Sequence, residues 1–230
     1  MTTIVKYPWQ LSPINRSPRL YNNKSQLSPR TRYSLTNKHI ILDIDECLVH
    51  TFEGCDIGDL LDNPHLFPLK KKLFVLDGCL FGFTRDGLRE FLGFCFKFFK
   101  SVRVFSAGGD NYVNSVCNVI FKDLPKPDSI WTRDKCRSYS NGTYSKPLSL
   151  FYEEFSDMKA ENTVIVDDRG DSNGVENPFN MINIPAYEQE YYEHFLTPDS
   201  RLMELQQFFM SSAFMYSDDV RLVAKDKIFS

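Results

Sequence analysis

No stretch of about 18 consecutive apolar residues occurs in the chain, so no membrane-spanning helix and no membrane partner is expected. The amino-terminal residues lack an apolar signal segment. The six cysteines, Cys47, Cys55, Cys79, Cys95, Cys117 and Cys136, form no CxxC pair and no zinc-type spacing. These absences point to reduced thiols in an intracellular protein, with nucleus and cytoplasm equally open. Acidic residues are missing altogether from residues 1–38, which carry seven Lys/Arg. That leaves 20 of the 27 basic residues against all 30 acids in the remainder, a net of −10 where the whole chain has −3.

The basic stretch is rich in Asn, Ser and Gln and holds Ser12-Pro13, Ser17-Pro18 and Ser28-Pro29. It reads as a disordered basic arm over residues 1–37, with one folded domain over 38–230. The arm is best taken as a solvated tail, and direct nucleic-acid binding is not expected. Phenylalanine is abundant at 20 residues, so an aromatic-rich core is expected. The chain is long enough to bury one.

From residue 39 the pattern alternates. HIILD (39–43) is a short strand of the fully buried kind, and so are SVRVFS (101–106) and TVIVDD (163–168). In LFVLDGCLFGF (73–83) two apolar runs flank Asp77-Gly78, a hairpin signal. Leu88, Phe91, Leu92, Cys95, Phe96 and Phe99 recur at helical spacing. Tyr112, Val113, Val116, Cys117, Val119 and Ile120 predict a second helix. Pro147 suits the first position of a third, with Leu148, Phe151 and Phe155. Leu202, Leu205, Phe208 and Phe209 mark another. Strands alternating with helices imply an α/β fold: a doubly wound parallel sheet flanked by helices, with a small β-hairpin insertion.

In such sheets ligands bind beyond the carboxyl ends of the strands. Three of the strands end in polar residues there: Asp43 with Asp45 close behind, Ser106, and Asp167-Asp168. Two acids one residue apart past a buried strand suit phosphoryl transfer through an aspartyl-phosphate. One carboxylate attacks phosphorus and the other handles the proton. A carboxylate approaching a phosphate needs a hard cation such as Mg²⁺ to offset the repulsion. A lysine and a hydroxyl then hold the other phosphate oxygens, and Ser106 and Lys146 stand in the right order for that.

With these residues the chain resembles a known family. DIDECLV is similar to the DxDx(T/V) signature of the haloacid dehalogenase superfamily. More narrowly it resembles the FCP/SCP-type phosphatases of the RNA polymerase II C-terminal domain, often written DLDETLVHS. TRDGLREFLGF, VRVFSAGGDNYVNSV, GTYSKPL and VIVDDR resemble the family's later segments in order, over roughly residues 38–225. Small members also occur in large DNA viruses.

The resemblance implies an aspartate-based, Mg²⁺-dependent phosphoserine/phosphothreonine protein phosphatase, with the RNA polymerase II C-terminal domain as one candidate partner. Asp43 is the expected nucleophile and metal ligand. Asp45 is the expected general acid/base, lending the metal its backbone carbonyl. Ser106 and Lys146 are expected to bind phosphate, Asp168 to bind the metal, and Asp167 to act from behind it. The alternative is a catalytically silent peptide-binding module on the same fold.

Three departures bear on this. Cys47 stands where the family has threonine, which carries an expectation of reduced activity or sensitivity to oxidation. Asp86 stands where proline is usual. RGDSNGVENPFN (169–180) matches neither family subtype. Lys70-Lys71-Lys72 reads as a solvated loop, and Arg133 and Arg137 are candidates for touching substrate phosphate. Cys79 and Arg85 have the spacing of cysteine-dependent phosphatases. The bulky residues between them argue for a buried thiol instead, because a phosphate loop needs exposed backbone N–H groups.

Overall fold

The computed structural model describes residues 33–53, 57–58, 62–76 and 80–229, without the side chains of Glu53 and Ser172. Most of the expected basic arm, the Asp77-Gly78 turn, Cys55 and Cys79 lie outside these residues. Leu35 and Thr36 donate backbone N–H groups to the carbonyls of Lys97 and Phe98, so the chain is tied to the domain from there.

The strands are β1 (His39–Leu42), β2 (Val49–Glu53), β3 (Leu73–Val75), β4 (Leu80–Thr84), β5 (Ser101–Phe105), β6 (Ser129–Trp131), β7 (Arg137–Ser138), β8 (Tyr144–Ser145), β9 (Thr163–Asp167) and β10 (Met181–Asn183). The helices are α1 (Leu88–Phe98), α2 (Asp110–Ile120), α3 (Ser149–Glu154), α4 (Gly170–Glu176), α5 (Arg201–Met210) and α6 (Ser212–Met215). A five-stranded sheet runs β10-β9-β1-β5-β6, and every neighbouring pair in it is parallel.

The apolar runs of the sequence are unbroken because the sheet is covered on both faces. Successive side chains of a strand point to opposite faces. Ile40 and Leu42 therefore join Val102, Val104, Val164 and Val166 under α1, α2 and α5. Ile41 joins Phe105, Ile165, Trp131 and Phe151 on the other face. There the Trp131 and Phe151 rings stack with centroids 3.7 Å apart. Pro147 precedes α3 rather than opening it. Leu148 is already αR, and the carbonyls of Pro147 and Leu148 accept the first turn's N–H groups.

The chain enters at the centre of the sheet. It winds out through β5 and β6, then crosses back to β9 and β10 on the other side of β1. In register, Leu42 lies beside Val104 and Val166. Asp43, Ser106 and Asp167 therefore leave three adjacent strands at one edge, the switch point of the winding.

The insertion between β1 and β5 is larger than a hairpin. β3 and β4 pair antiparallel as expected, and β2 adds a third strand on the other side of β4. The sheet packs through Phe83 on Leu66, Leu69, Tyr187 and Phe195. Gly82 permits this closeness, since a Cβ there would lie 2.4 Å from the His50 carbonyl oxygen. Lys72 is part of the framework and not of a solvated loop. Its ammonium meets Asp86 at 2.7 Å and the Phe195 carbonyl at 3.0 Å. The same Asp86 oxygen accepts the Asp199 N–H at 3.0 Å, a role that proline could not fill.

Candidate active site

The edge created by this topology holds most of the residues singled out in the sequence. Asp43 follows β1, is buried, and donates its backbone N–H to the Val166 carbonyl at 3.0 Å. Asp167 ends β9 and is fully buried, with Asp168 half-buried beside it. Carboxylate oxygens of Asp43, Asp167 and Asp168 lie within 4.8 Å of one another. Lys146 reaches in from the end of β8. Its ammonium donates to Asp167 Oδ2 at 2.6 Å and forms an ion pair with Asp43 Oδ1, also at 2.6 Å. Oδ1 is buried, and the Lys146 ion pair is its contact.

Three carboxylates against one ammonium leave two negative charges unbalanced. Burial pushes the Asp43 carboxyl well above the usual range, and Asp167 adds to the effect. Burial also raises Asp168, to about 6, again with help from Asp167. Burial alone would lower Lys146, but the Asp43 and Asp167 carboxylates outweigh it and hold the ammonium firmly charged. A cluster of hard oxygen donors short of two positive charges fits a divalent cation such as Mg²⁺. The Asp43 carboxylate, held among the described residues only by the Lys146 ion pair, has acceptor capacity left for it. Asp167 has both oxygens engaged, one by Lys146 and the other by the Arg169 N–H at 2.9 Å. It is placed to hold Lys146 from behind.

Asp45 and Ser106 form a second, hydrogen-bonded group at this edge. Ser106 is fully buried just past β5, and its hydroxyl donates to Asp45 Oδ2 at 3.3 Å while accepting the Gly108 N–H at 2.9 Å. Asp45 Oδ1 accepts from the Tyr112 hydroxyl. Burial, and then the Asp45 charge, keep that phenol protonated, well above its ordinary range. A cleft of about 560 Å³ opens over these groups, lined by Asp43, Asp45, Lys146, Asp168, Tyr112 and Arg133, among others. Thr51 and Leu80 of the insertion also line it.

Of the two candidate arginines, Arg133 lines the cleft, while Arg137 pairs with Glu176 at 2.6 Å. Arg85 cannot serve a cysteine-type phosphate loop. It is buried in a two-pronged pair with Asp199, both contacts 2.9 Å, and donates to the carbonyls of Cys47 and Pro185. The Cys47 thiol is fully buried, and burial first, then Asp43, pushes it well above its ordinary value. Burial and the raised pKa both disfavour oxidation at this position.

Sequence reasoning missed three contributors. Tyr112 looked like part of a helix core face. Asn173 and Asn177, four residues apart on and just past α4, clamp the backbone of Lys146. Asn173 Oδ1 accepts its N–H at 2.9 Å, and Asn177 Nδ2 donates to its carbonyl at 2.9 Å. The stretch that departs from the family pattern is thus the one that seats the lysine.

No curated protein sequence matches the chain. Among solved structures, a point variant of the fission yeast RNA polymerase II CTD phosphatase Fcp1, bound to beryllium fluoride, is similar with a TM-score of 0.51 and 21% identity, covering 74% of this chain and 49% of that one. Another structure, of Fcp1 described as an essential RNA polymerase II CTD phosphatase, has a TM-score of 0.49 and 17% identity, covering 82% of this chain and 58% of that one. The chain spans about half the length of these solved chains, and the likeness to the first is one of fold. The family model described as NLI interacting factor-like phosphatase matches residues 38–221, from just before β1 to beyond α6. The α/β sheet, its insertion and the ordered motifs agree with that match, and the chain belongs to the NLI interacting factor-like phosphatase family.

Proposed function

We propose that the chain is a Mg²⁺-dependent protein phosphatase working through an aspartyl-phosphate on Asp43. The observation that carries this is the cluster of Asp43, Asp167 and Asp168 at the switch point, its first two members bridged by Lys146, with Asp45 on the same open cleft and Ser106 donating to Asp45. Asp43 and Asp168, with the backbone carbonyl of Asp45, would hold the cation. When bound, it offsets the charge of phosphate and nucleophile.

The chain's own groups do the rest. An Asp43 oxygen bonds to phosphorus as the bond from phosphorus to the substrate oxygen breaks. Asp45 gives that oxygen its proton. Asp45 then takes a proton from water, whose oxygen displaces Asp43 and frees inorganic phosphate. Ser106 and Lys146 hold the phosphate oxygens as charge moves.

The proposed substrate is a phosphoserine or phosphothreonine in an extended protein segment. The RNA polymerase II C-terminal domain is the example offered by the name of the fold's solved relative. The insertion supports a macromolecular substrate, because it contributes one wall of a cleft and is too small to be a separate cap domain over a metabolite.

Hydrolysis of p-nitrophenyl phosphate and of a phosphoserine peptide, with Mg²⁺ and then with EDTA, tests the reading. Turnover is expected with Mg²⁺, a fall to background with EDTA, and recovery when Mg²⁺ is returned. Tight phosphopeptide binding without turnover at saturating Mg²⁺ would replace this reading with the silent binding module.

A further inference from the structure

The Asp45 carboxylate is held at both ends, and the two ends are held differently. Oδ1 accepts from Tyr112 on α2, a tyrosine of the VRVFSAGGDNYVNSV segment. The phenol's one proton is committed to Asp45, so at the 3.1 Å contact between Tyr112 and Thr51 the threonine hydroxyl is the donor. Thr51 belongs to β2, the strand that the insertion adds beside β4. Oδ2 accepts from Ser106 at 3.3 Å, a longer bond from a hydroxyl that is also the expected phosphate donor. The Tyr112 ring can come this close because residue 108 is glycine. A Cβ at Gly108 would lie 2.9 Å from Tyr112 Cδ1 and 3.2 Å from Ser106 Oγ.

We propose that Tyr112, oriented by Thr51, is the positioning residue for the acid/base Asp45, and that Oδ2 is the oxygen that exchanges the proton. This rests on the phosphatase reading. When phosphate arrives, the Ser106 hydroxyl turns to a phosphate oxygen and releases Oδ2. Oδ1 stays pinned by Tyr112, so the freed oxygen faces the leaving group. Once released, Oδ2 takes up the proton that the phosphate monoanion brings in, and that proton passes to the seryl oxygen as its bond to phosphorus breaks and the bond from Asp43 forms. In the second step Oδ2 recovers a proton from the attacking water. The insertion thus acts on the chemistry through one threonine and one tyrosine.

The test compares leaving groups in wild type, Tyr112→Phe, Thr51→Val and Asp45→Asn with saturating Mg²⁺. A serine alkoxide needs a proton to leave, whereas p-nitrophenolate does not. For Tyr112→Phe, kcat/KM on a phosphoserine peptide is expected to fall by about 10²-fold, the low end of a general acid's contribution. On p-nitrophenyl phosphate its kcat and KM are expected to fall together, leaving kcat/KM within a few-fold, because only the second step is slowed. Asp45→Asn should show the same pattern more strongly, and Thr51→Val more weakly. A merely structural role would lower kcat/KM on both esters alike. That result, or unchanged kinetics in Tyr112→Phe, overturns the proposal while leaving the phosphatase reading intact. A wild type that hydrolyses neither ester overturns the phosphatase reading, and this proposal with it.

Discussion

Asp43→Asn is expected to abolish phosphate-ester hydrolysis, by about 10⁴-fold or more, while the protein remains folded. Removing a nucleophile that acts together with a base and charge-stabilising groups costs losses of that order in other hydrolases. An amide in the same place cannot form the acyl phosphate. The fold should survive because Asp43 carries only one directed backbone bond into the sheet, and Asn keeps both shape and N–H. In EDTA the variant should be at least as stable as wild type. Burial and Asp167 disfavour the Asp43 charge, so replacing it removes a repulsion that no cation offsets. With Mg²⁺ the order should reverse. Wild type gains stability by mass action, about 2.7 kcal/mol at 100 times the dissociation constant, and the variant gains less. Thermal unfolding with and without Mg²⁺, beside the activity assay, checks all three outcomes. Residual hydrolysis within tenfold of wild type would contradict the assignment of Asp43.

Asp199→Ala is expected to produce a large loss of stability. Arg85 is fully buried, and Asp199 takes both its Nε and one terminal nitrogen. Breaking a buried pair by removing one partner costs about 3–5 kcal/mol, because the other charge stays behind unpaired. For a domain of this size that corresponds to roughly 10 °C in unfolding temperature. Activity should fall as well, since Arg85 also holds the Cys47 carbonyl in the loop that follows Asp43. Replacing both partners with apolar residues, Arg85→Met with Asp199→Leu, should recover much of the stability, as buried pairs often contribute little net free energy. A shift below 2 °C for Asp199→Ala, read by calorimetry, would show that water or another acid takes over from the lost carboxylate.

The parts of the site that lie on strand ends were legible in the sequence. Asp43, Ser106 and Asp167 each stop a buried apolar run, and a polar residue at such a point has few reasons to be there except the edge it reaches. Lys146 was legible through its order after Ser106 and its resemblance to a family motif, because β8 is two residues long and gives no periodic signal. Tyr112 was hidden by the opposite effect. It keeps helical spacing with Val116 and Val119, so its ring reads as core, although its hydroxyl reaches Asp45.

Arg85 looked like half of a phosphate-binding spacing because sequence gives no sign of Asp199, 114 residues away, closing on it. The α4 segment, GDSNGVE, holds two glycines and poor helix formers, so local propensity argued against the helix that seats Lys146. β2 was passed over because it follows the acidic motif directly, and its pairing with β4 is set by the insertion's own packing. In each case a long-range contact decided what local pattern could not.

The central claim is that a phosphoryl group passes through Asp43. It is tested most directly by mixing the protein with Mg²⁺ and p-nitrophenyl phosphate, quenching in acid within milliseconds, and mapping covalent phosphate by mass spectrometry. The wild type should carry a trace on the peptide containing Asp43, labile to hydroxylamine as an acyl phosphate. Asp45→Asn should accumulate far more, because nitrophenolate leaves without a proton while water attack lacks its base. Asp43→Asn should carry none. Full turnover with no acyl phosphate in either the wild type or Asp45→Asn, or phosphate mapped to a cysteine or serine instead, would contradict the account.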